Sequence, residues 1–185
     1  MAVTISVAQQ KGGAGKTTIA AHLGMAWVGQ GKRVAFVDID PQGSLSAWAG
    51  MRDEGDRPVR ATYHRFEGWK TSNEIAALRR DHDIIVIDSP PHMETAARLS
   101  VREADLVVIP VQPTPMDVWA TAPTIEMAET EKVPYLMVFN RVPPRAKIAD
   151  ELIAQLKKEK RPLARAKLGN RTVGYDFLYL RDWGT

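Results

Sequence analysis

Apolar residues along this chain are grouped in two ways. Short apolar runs occupy residues 3–8, 33–38, 83–88, 105–111 and 135–140, and four of them are nearly continuous in Val, Ile, Leu, Phe or Met. Those four predict parallel strands covered on both faces. Between the runs, apolar positions fall three and four apart. Over 17–30, Ile19, Ala20, Leu23 and Trp27 share one helical face, and Gly29 and Gly31 offer a stop. Further helical stretches over 73–80, 94–102, 116–130 and 146–158 complete the alternation. Strand–helix alternation of this kind predicts an α/β fold in three layers, a mostly parallel central sheet flanked by helices. The least patterned piece, 51–70, mixes Asp, Glu, Gly, Pro and Arg before a run over 59–66 that fits an edge strand. No internal repeat or low-complexity linker is present, so residues 1–185 read as a single domain.

Composition narrows the class. Hydrophobic residues make up 44% and charged residues 25% of the chain, the balance of a globular protein in water. No stretch approaches the roughly 18 apolar residues of a membrane span, and the first residues lack the basic start of a signal peptide. There is no cysteine, which removes disulfides, thiolate zinc sites and iron–sulfur clusters and makes the cytoplasm the expected compartment. Charge is uneven: residues 141–185 hold eleven Lys or Arg against five Asp or Glu, while the chain as a whole is only +3. A basic C-terminal part suits a polyanionic partner, although such cations are also common on solvated helix faces.

The most specific chemistry lies in Lys11-Gly12-Gly13-Ala14-Gly15-Lys16-Thr17-Thr18, between the first strand and the first helix. Glycines there let successive backbone N–H groups face one concavity, and the helix adds its positive end. Lys16 would then lie beside the β- and γ-phosphates of a nucleotide, and the Thr17 hydroxyl would ligate Mg²⁺. A general phosphate loop, G-x-x-x-x-G-K-[ST], places glycine where this chain has Gln10, and a second lysine, Lys11, sits inside the loop. Two further strands end in carboxylates, at Asp38-Ile39-Asp40-Pro41-Gln42 and at Asp88-Ser89-Pro90-Pro91. Carboxylates beside a phosphate loop serve as Mg²⁺ partners or orient a water, the lesser alternative for Asp38 and Asp40 being a turn or a helix N-cap. Asp88, after four apolar residues, reads as a Walker B carboxylate that reaches Mg²⁺ through water.

Lys11 to Thr18 resembles the deviant Walker A motif, K-G-G-x-G-K-T-T, of the ParA/MinD family of P-loop ATPases. Asp38 to Gln42 resembles the family's D-x-D-P-Q segment, and Pro110-Val-Gln-Pro-Thr-Pro115-Met-Asp117 its P-x-x-P-S/T-P-x-D turn. The resemblance implies a P-loop NTPase fold and binding of Mg-ATP by Lys11, Gly12, Gly13, Ala14, Gly15, Lys16, Thr17 and Thr18. It implies that Asp40 positions the attacking water, that Asp38 supports the metal shell with Thr17 and Asp88, and that Asn140 reads the adenine edge. Arg141, Val142 and Pro143 follow Asn140 without the Lys-x-Asp of a GTPase, which favours ATP. By the same resemblance Lys11 reaches across a two-fold interface to a partner's ATP, so that Lys11, Lys16 and Asp40 carry a slow hydrolysis gated by dimerisation.

Within the family, the lack of cysteine argues against the nitrogenase iron protein, and residues 179–185 read as too short and too poorly amphipathic for MinD's membrane helix. Small ParA-type partition ATPases remain. They imply an ATP-bound homodimer, non-specific DNA as a partner, an activating protein, no membrane, and a nucleoid-associated place in the cytoplasm. Seven cations and one acid between 157 and 171, with Lys160, Arg165, Lys167 and Arg171 among them, are the candidate DNA contacts. An ATP-dependent biosynthetic enzyme of the dethiobiotin or cobyrinate synthetase type is the alternative.

Overall fold

The computed structural model describes residues 2–53, 61–66, 71–91, 94–143, 145 and 147–165. Its strands are β1 (Val3–Val7), β2 (Val34–Asp38), β3 (Ala61–Arg65), β4 (Ile84–Asp88), β5 (Leu106–Val111), β6 (Tyr135–Phe139) and β7 (Leu163–Arg165). Its helices are α1 (Lys16–Gly29), α2 (Ser44–Asp53), α3 (Thr71–Leu78), α4 (Glu94–Arg102), α5 (Pro115–Trp119), α6 (Ala122–Thr130) and α7 (Lys147–Lys158). The strands form one sheet in the order β3-β2-β4-β1-β5-β6-β7, and every pairing is parallel. This is the three-layer α/β fold expected from the pattern, and the run over 59–66 supplies the edge strand β3.

Alternate residues of each strand feed opposite layers. Val34 and Phe36 of β2, Val86 of β4 and Val108 of β5 pack with Ile19, Leu23 and Leu45 of α1 and α2. On the other face, Val107, Ile109, Met137 and Phe139 meet Ala97, Ile125 and Leu156 of α4, α6 and α7, while Val37, Ile85 and Ile87 meet Ile75 of α3. Gly24 of α1 lies against the Phe36 ring, where a β-carbon would come within 2.2 Å of two ring atoms. Close approach, not flexibility, explains a glycine in mid-helix.

Three elements depart from the pattern reading. The single helix expected over 116–130 is two, because Pro123 in the first turn of α6 has no N–H to give and its ring crowds the carbonyl four residues earlier. Helix α2 has little sequence signature: only Leu45, Trp48 and Ala49 mark its inner side, too few to show periodicity. Strand β7 is three residues long and gains its order from pairing with β6.

Register positions the site. Val7, Asp38 and Asp88 stand level at the carboxyl ends of β1, β2 and β4, since Val7 pairs with Asp88 and Asp88 with Asp38. β1 then runs into the glycine loop, and β5 leaves on its other side. A crevice beyond the carboxyl ends of parallel strands, where connections diverge, is the usual ligand position in such sheets.

Candidate functional site

The loop from Ala8 to Gly15 turns the chain from β1 into α1 with φ of +75° at Gly13 and +94° at Gly15. Only glycine adopts these values without strain. Gly15 is also crowded, with a β-carbon position 2.3 Å from Asn140 Nδ2. Among the described residues, the N–H groups of residues 12–18 find no protein acceptor, and the first such bond in α1 is Ile19 N–H to the Gly15 carbonyl. A run of unpaired N–H groups at a helix start forms an anion-binding nest. Lys16, at its centre, is 7% exposed. Burial pushes its ammonium pKa down, and Asp88 and Asp40 push it back up. A cation this desolvated gains much from an anion brought to it.

Asp88 is fully buried at the end of β4. Its Oδ2 accepts the Thr17 hydroxyl at 2.6 Å, whereas among the described residues Oδ1 has no partner. Burial raises its carboxyl pKa to about 7, opposed by the Thr17 hydrogen bond and reinforced by Asp38. A buried carboxylate oxygen left orphaned beside a hydroxyl suits a hydrated divalent cation. No group of three His, Cys, Asp or Glu able to hold a metal occurs among the described residues. The Thr17 hydroxyl and the Asp88 carboxylate fit Mg²⁺, which binds through one or two protein oxygens plus phosphates and waters.

Asp38 and Asp40 lie beside this pair but are engaged differently. Asp38 Oδ2 accepts the Ser46 N–H at 2.8 Å and its hydroxyl at 2.9 Å, and Oδ1 accepts the Asp40 N–H at 3.1 Å. It thus caps the start of α2 and sets Asp40, the turn-and-cap use that its residue type also allowed. Asp40, 8% exposed, accepts the Gln42 N–H at 2.9 Å through Oδ1. Arg65 on the edge strand holds this turn by donating to the Pro41 carbonyl at 2.8 Å.

Lys11 points along its own chain, with Nζ 2.8 Å from Asp117 Oδ1. Asp117 sits in the first turn of α5, where Thr114 caps its N–H. Burial raises its carboxyl pKa, but the hydrogen bonds from Lys11 and Thr114 outweigh this and leave it below the ordinary value. Asn140 donates to the Ala14 carbonyl at 3.2 Å and accepts the Arg141 N–H at 2.9 Å, so it braces the loop from outside. Four loop-holding side chains escape a reading of the sequence. Gln9 accepts the Lys11 N–H, Thr124 the Gln10 N–H, and Gln112 and Arg141 both donate to the Gly13 carbonyl. Gln112 lies within the proline-rich turn after β5 and Arg141 follows Asn140, but nothing local marks their target.

Of the expected DNA contacts, Lys160 is exposed just past α7. Arg165 ends β7, and Lys167 and Arg171 lie outside the described residues. Among the described residues no helix is long and apolar enough to cross a membrane.

The family model described as the CobQ/CobB/MinD/ParA nucleotide binding domain matches residues 5–175. Maintenance of carboxysome distribution protein A of Halothiobacillus neapolitanus is 32% identical over 179 residues, covering 93% of this chain and 82% of that protein. Chromosome-partitioning ATPase Soj of Thermus thermophilus is 32% identical over 134 residues, covering 58% of this chain and 54% of Soj. Among solved structures, apo McdA of Cyanothece aligns with a TM-score of 0.71 at 20% identity, over 92% of this chain and 88% of that one. Cobyrinic acid a,c-diamide synthase of Mycobacterium smegmatis, solved with ADP and magnesium, gives 0.78 at 19% identity, over 94% and 89%. At those identities the solved structures bear on the fold alone.

Proposed function

We propose that this chain, which belongs to the CobQ/CobB/MinD/ParA nucleotide-binding domain family, is a ParA-type ATPase that positions a plasmid, chromosome or protein assembly. One observation carries the reading: among the described residues, the seven consecutive N–H groups from Gly12 to Thr18, around the buried Lys16, have no acceptor, and an Asp88 oxygen beside them has no partner. That arrangement asks for a polyanion and a divalent cation together, which Mg-ATP supplies.

In this reading the loop N–H groups and Lys16 hold the β- and γ-phosphates, and Thr17 and Asp88 hold Mg²⁺. The metal, when bound, neutralises charge on the phosphates and offsets the cost of an ionised Asp88. Asp38 supports the metal site at one remove, by fixing the turn that carries Asp40, and Asp40 orients the attacking water. Asn140 braces the loop and, by the family resemblance, recognises the adenine edge. Lys11 leaves Asp117 to reach the phosphates of a second copy, so dimerisation depends on ATP and hydrolysis is slow until a partner protein promotes it. The exposed Lys157, Lys158 and Lys160, with Arg165, Lys167 and Arg171, give the dimer a basic surface for DNA phosphates without sequence preference.

Relatives at 32% identity named for carboxysome distribution and chromosome partitioning support the positioning role. A synthetase reading, in which phosphate activates a small carboxylate, is the alternative; cobyrinic acid a,c-diamide synthase shares the fold alone. Basal ATP hydrolysis, measured with and without duplex DNA at low salt, separates them. A partition ATPase hydrolyses ATP slowly without a second substrate and is retained on DNA only with ATP. A chain that is inert until a carboxylate substrate is added refutes the proposal.

A further inference from the structure

We propose that Gln112 and Arg141 are positioning residues that pre-set the phosphate loop by gripping the Gly13 carbonyl from outside. The inference rests on the nucleotide reading above and adds to it what holds an exposed glycine loop in shape before ligand arrives.

Gly12 and Gly13 are exposed and Gly13 has φ of +75°, and a β-carbon at Gly13 would meet nothing within 4 Å. Neither packing nor a side chain of its own therefore fixes this stretch, and glycine has the most backbone freedom to lose. The order comes from donors on distant strands. Gln112 Nε2, just past β5, donates to the Gly13 carbonyl at 3.1 Å, and Arg141 Nη1, just past β6, donates to the same oxygen at 3.4 Å. Asn140 holds the next carbonyl, that of Ala14, at 3.2 Å. The peptide bonds are trans, so each C=O is opposed by the N–H of the following residue in one rigid plane. Pulling the Gly13 oxygen outward turns the Ala14 N–H inward, and pulling the Ala14 oxygen outward does the same for Gly15. Among the described residues neither N–H group has a protein acceptor, as a nest for an anion requires.

Both grips come from strand ends that also carry other parts of the site. Gln112 opens the turn leading to Asp117, which holds Lys11. Arg141 has φ of +54°, an uncommon value for a non-glycine residue, and it directs the guanidinium back over the loop. Donors arriving from β5 and β6 thus fix peptide planes 99 to 128 residues away in sequence before the anion binds.

The test uses the whole chain and two variants, Gln112→Met, which keeps size and neutrality but removes the donor, and Arg141→Lys, which keeps charge and a donor. Mg-ADP affinity is measured by calorimetry, and inorganic tripolyphosphate is competed against a fluorescent ADP. Ligand-free thermal midpoints and the ¹H–¹⁵N amide signals of Ala14 and Gly15 are recorded in parallel. Loss of one such hydrogen bond is expected to weaken Mg-ADP and tripolyphosphate together by about tenfold in Gln112→Met. Arg141→Lys should retain most of the affinity. The ligand-free midpoint should move by less than about 2 °C, while the Ala14 and Gly15 amide signals shift or broaden. Unchanged affinity in Gln112→Met overturns the inference while leaving nucleotide binding intact. So does a lowered midpoint with unmoved Ala14 and Gly15 signals, which marks a purely structural residue. Absence of Mg-ADP binding by the unaltered protein overturns the inference and the nucleotide reading together.

Discussion

Replacing Asp88 by Asn should stabilise the ligand-free protein, and by more as pH rises. Asp88 is buried with one oxygen unpartnered and a carboxyl pKa of about 7. In the unfolded chain the same group titrates near 3.8. The folded state therefore binds the proton more tightly, and stability falls as pH rises between those two values. Each pH unit crossed in that window costs about 1.4 kcal/mol, so the penalty is roughly 1 to 2 kcal/mol at pH 5 and on the order of 4 kcal/mol above pH 7. That figure already contains the opposing pull of Thr17 and Lys16. Asparagine keeps an acceptor for the Thr17 hydroxyl and has no charge to desolvate. The variant's advantage should accordingly grow by about 2 to 3 kcal/mol from pH 5 to pH 8, a large part of a typical domain's stability. Urea unfolding at pH 5, 6, 7 and 8, in chelator and without nucleotide, measures this. Adding Mg-ADP should narrow the gap, because only the aspartate gains a cation. A difference that is flat with pH, or a variant less stable at pH 8, would show that Asp88 is not strained by its burial and that the orphaned oxygen is no metal position.

Three other substitutions test separate parts of the account. Lys11→Ala should abolish ATP-dependent dimerisation in sedimentation while monomer nucleotide binding persists, and a mutant that still dimerises with ATP removes the reach across the interface. Gly15→Ala should cost nucleotide affinity at least tenfold, since φ is +94° and the added carbon would displace Asn140 Nδ2; normal affinity by calorimetry would contradict the tight approach. Gly24→Ala sets helix propensity against packing: alanine gains about 1 kcal/mol in a helix, but overpacking against Phe36 at 2.2 Å costs about 1–3 kcal/mol. Chemical denaturation should show net destabilisation, relieved by Phe36→Leu.

The chain written out linearly determines the layered α/β plan and the phosphate loop. Strands buried on both faces are mostly apolar along their length, so β2, β4, β5 and β6 stand out without knowledge of their partners, whereas β1 alternates with the buried Thr4 and Ser6. The loop is legible for a related reason: a nest is made of successive backbone groups, so its requirement for Gly13, Gly15, Lys16 and Thr17 falls on neighbours in sequence. Asp38, Asp40 and Asp88 are legible as carboxylates at strand ends, but not in their distinct tasks.

Folding alone decided those tasks. It gave Asp38 to the start of α2 and left an Asp88 oxygen bare. It also laid Lys11 on Asp117, 106 residues away, and brought Gln112 and Arg141 to one glycine carbonyl. The physical reason is that periodicity and local conformational preference act over a few residues. Burial, orphaned oxygens and the direction of a peptide plane are set by whatever the sheet register places alongside, and register joins β1 to β4 and β5 across some eighty to one hundred positions.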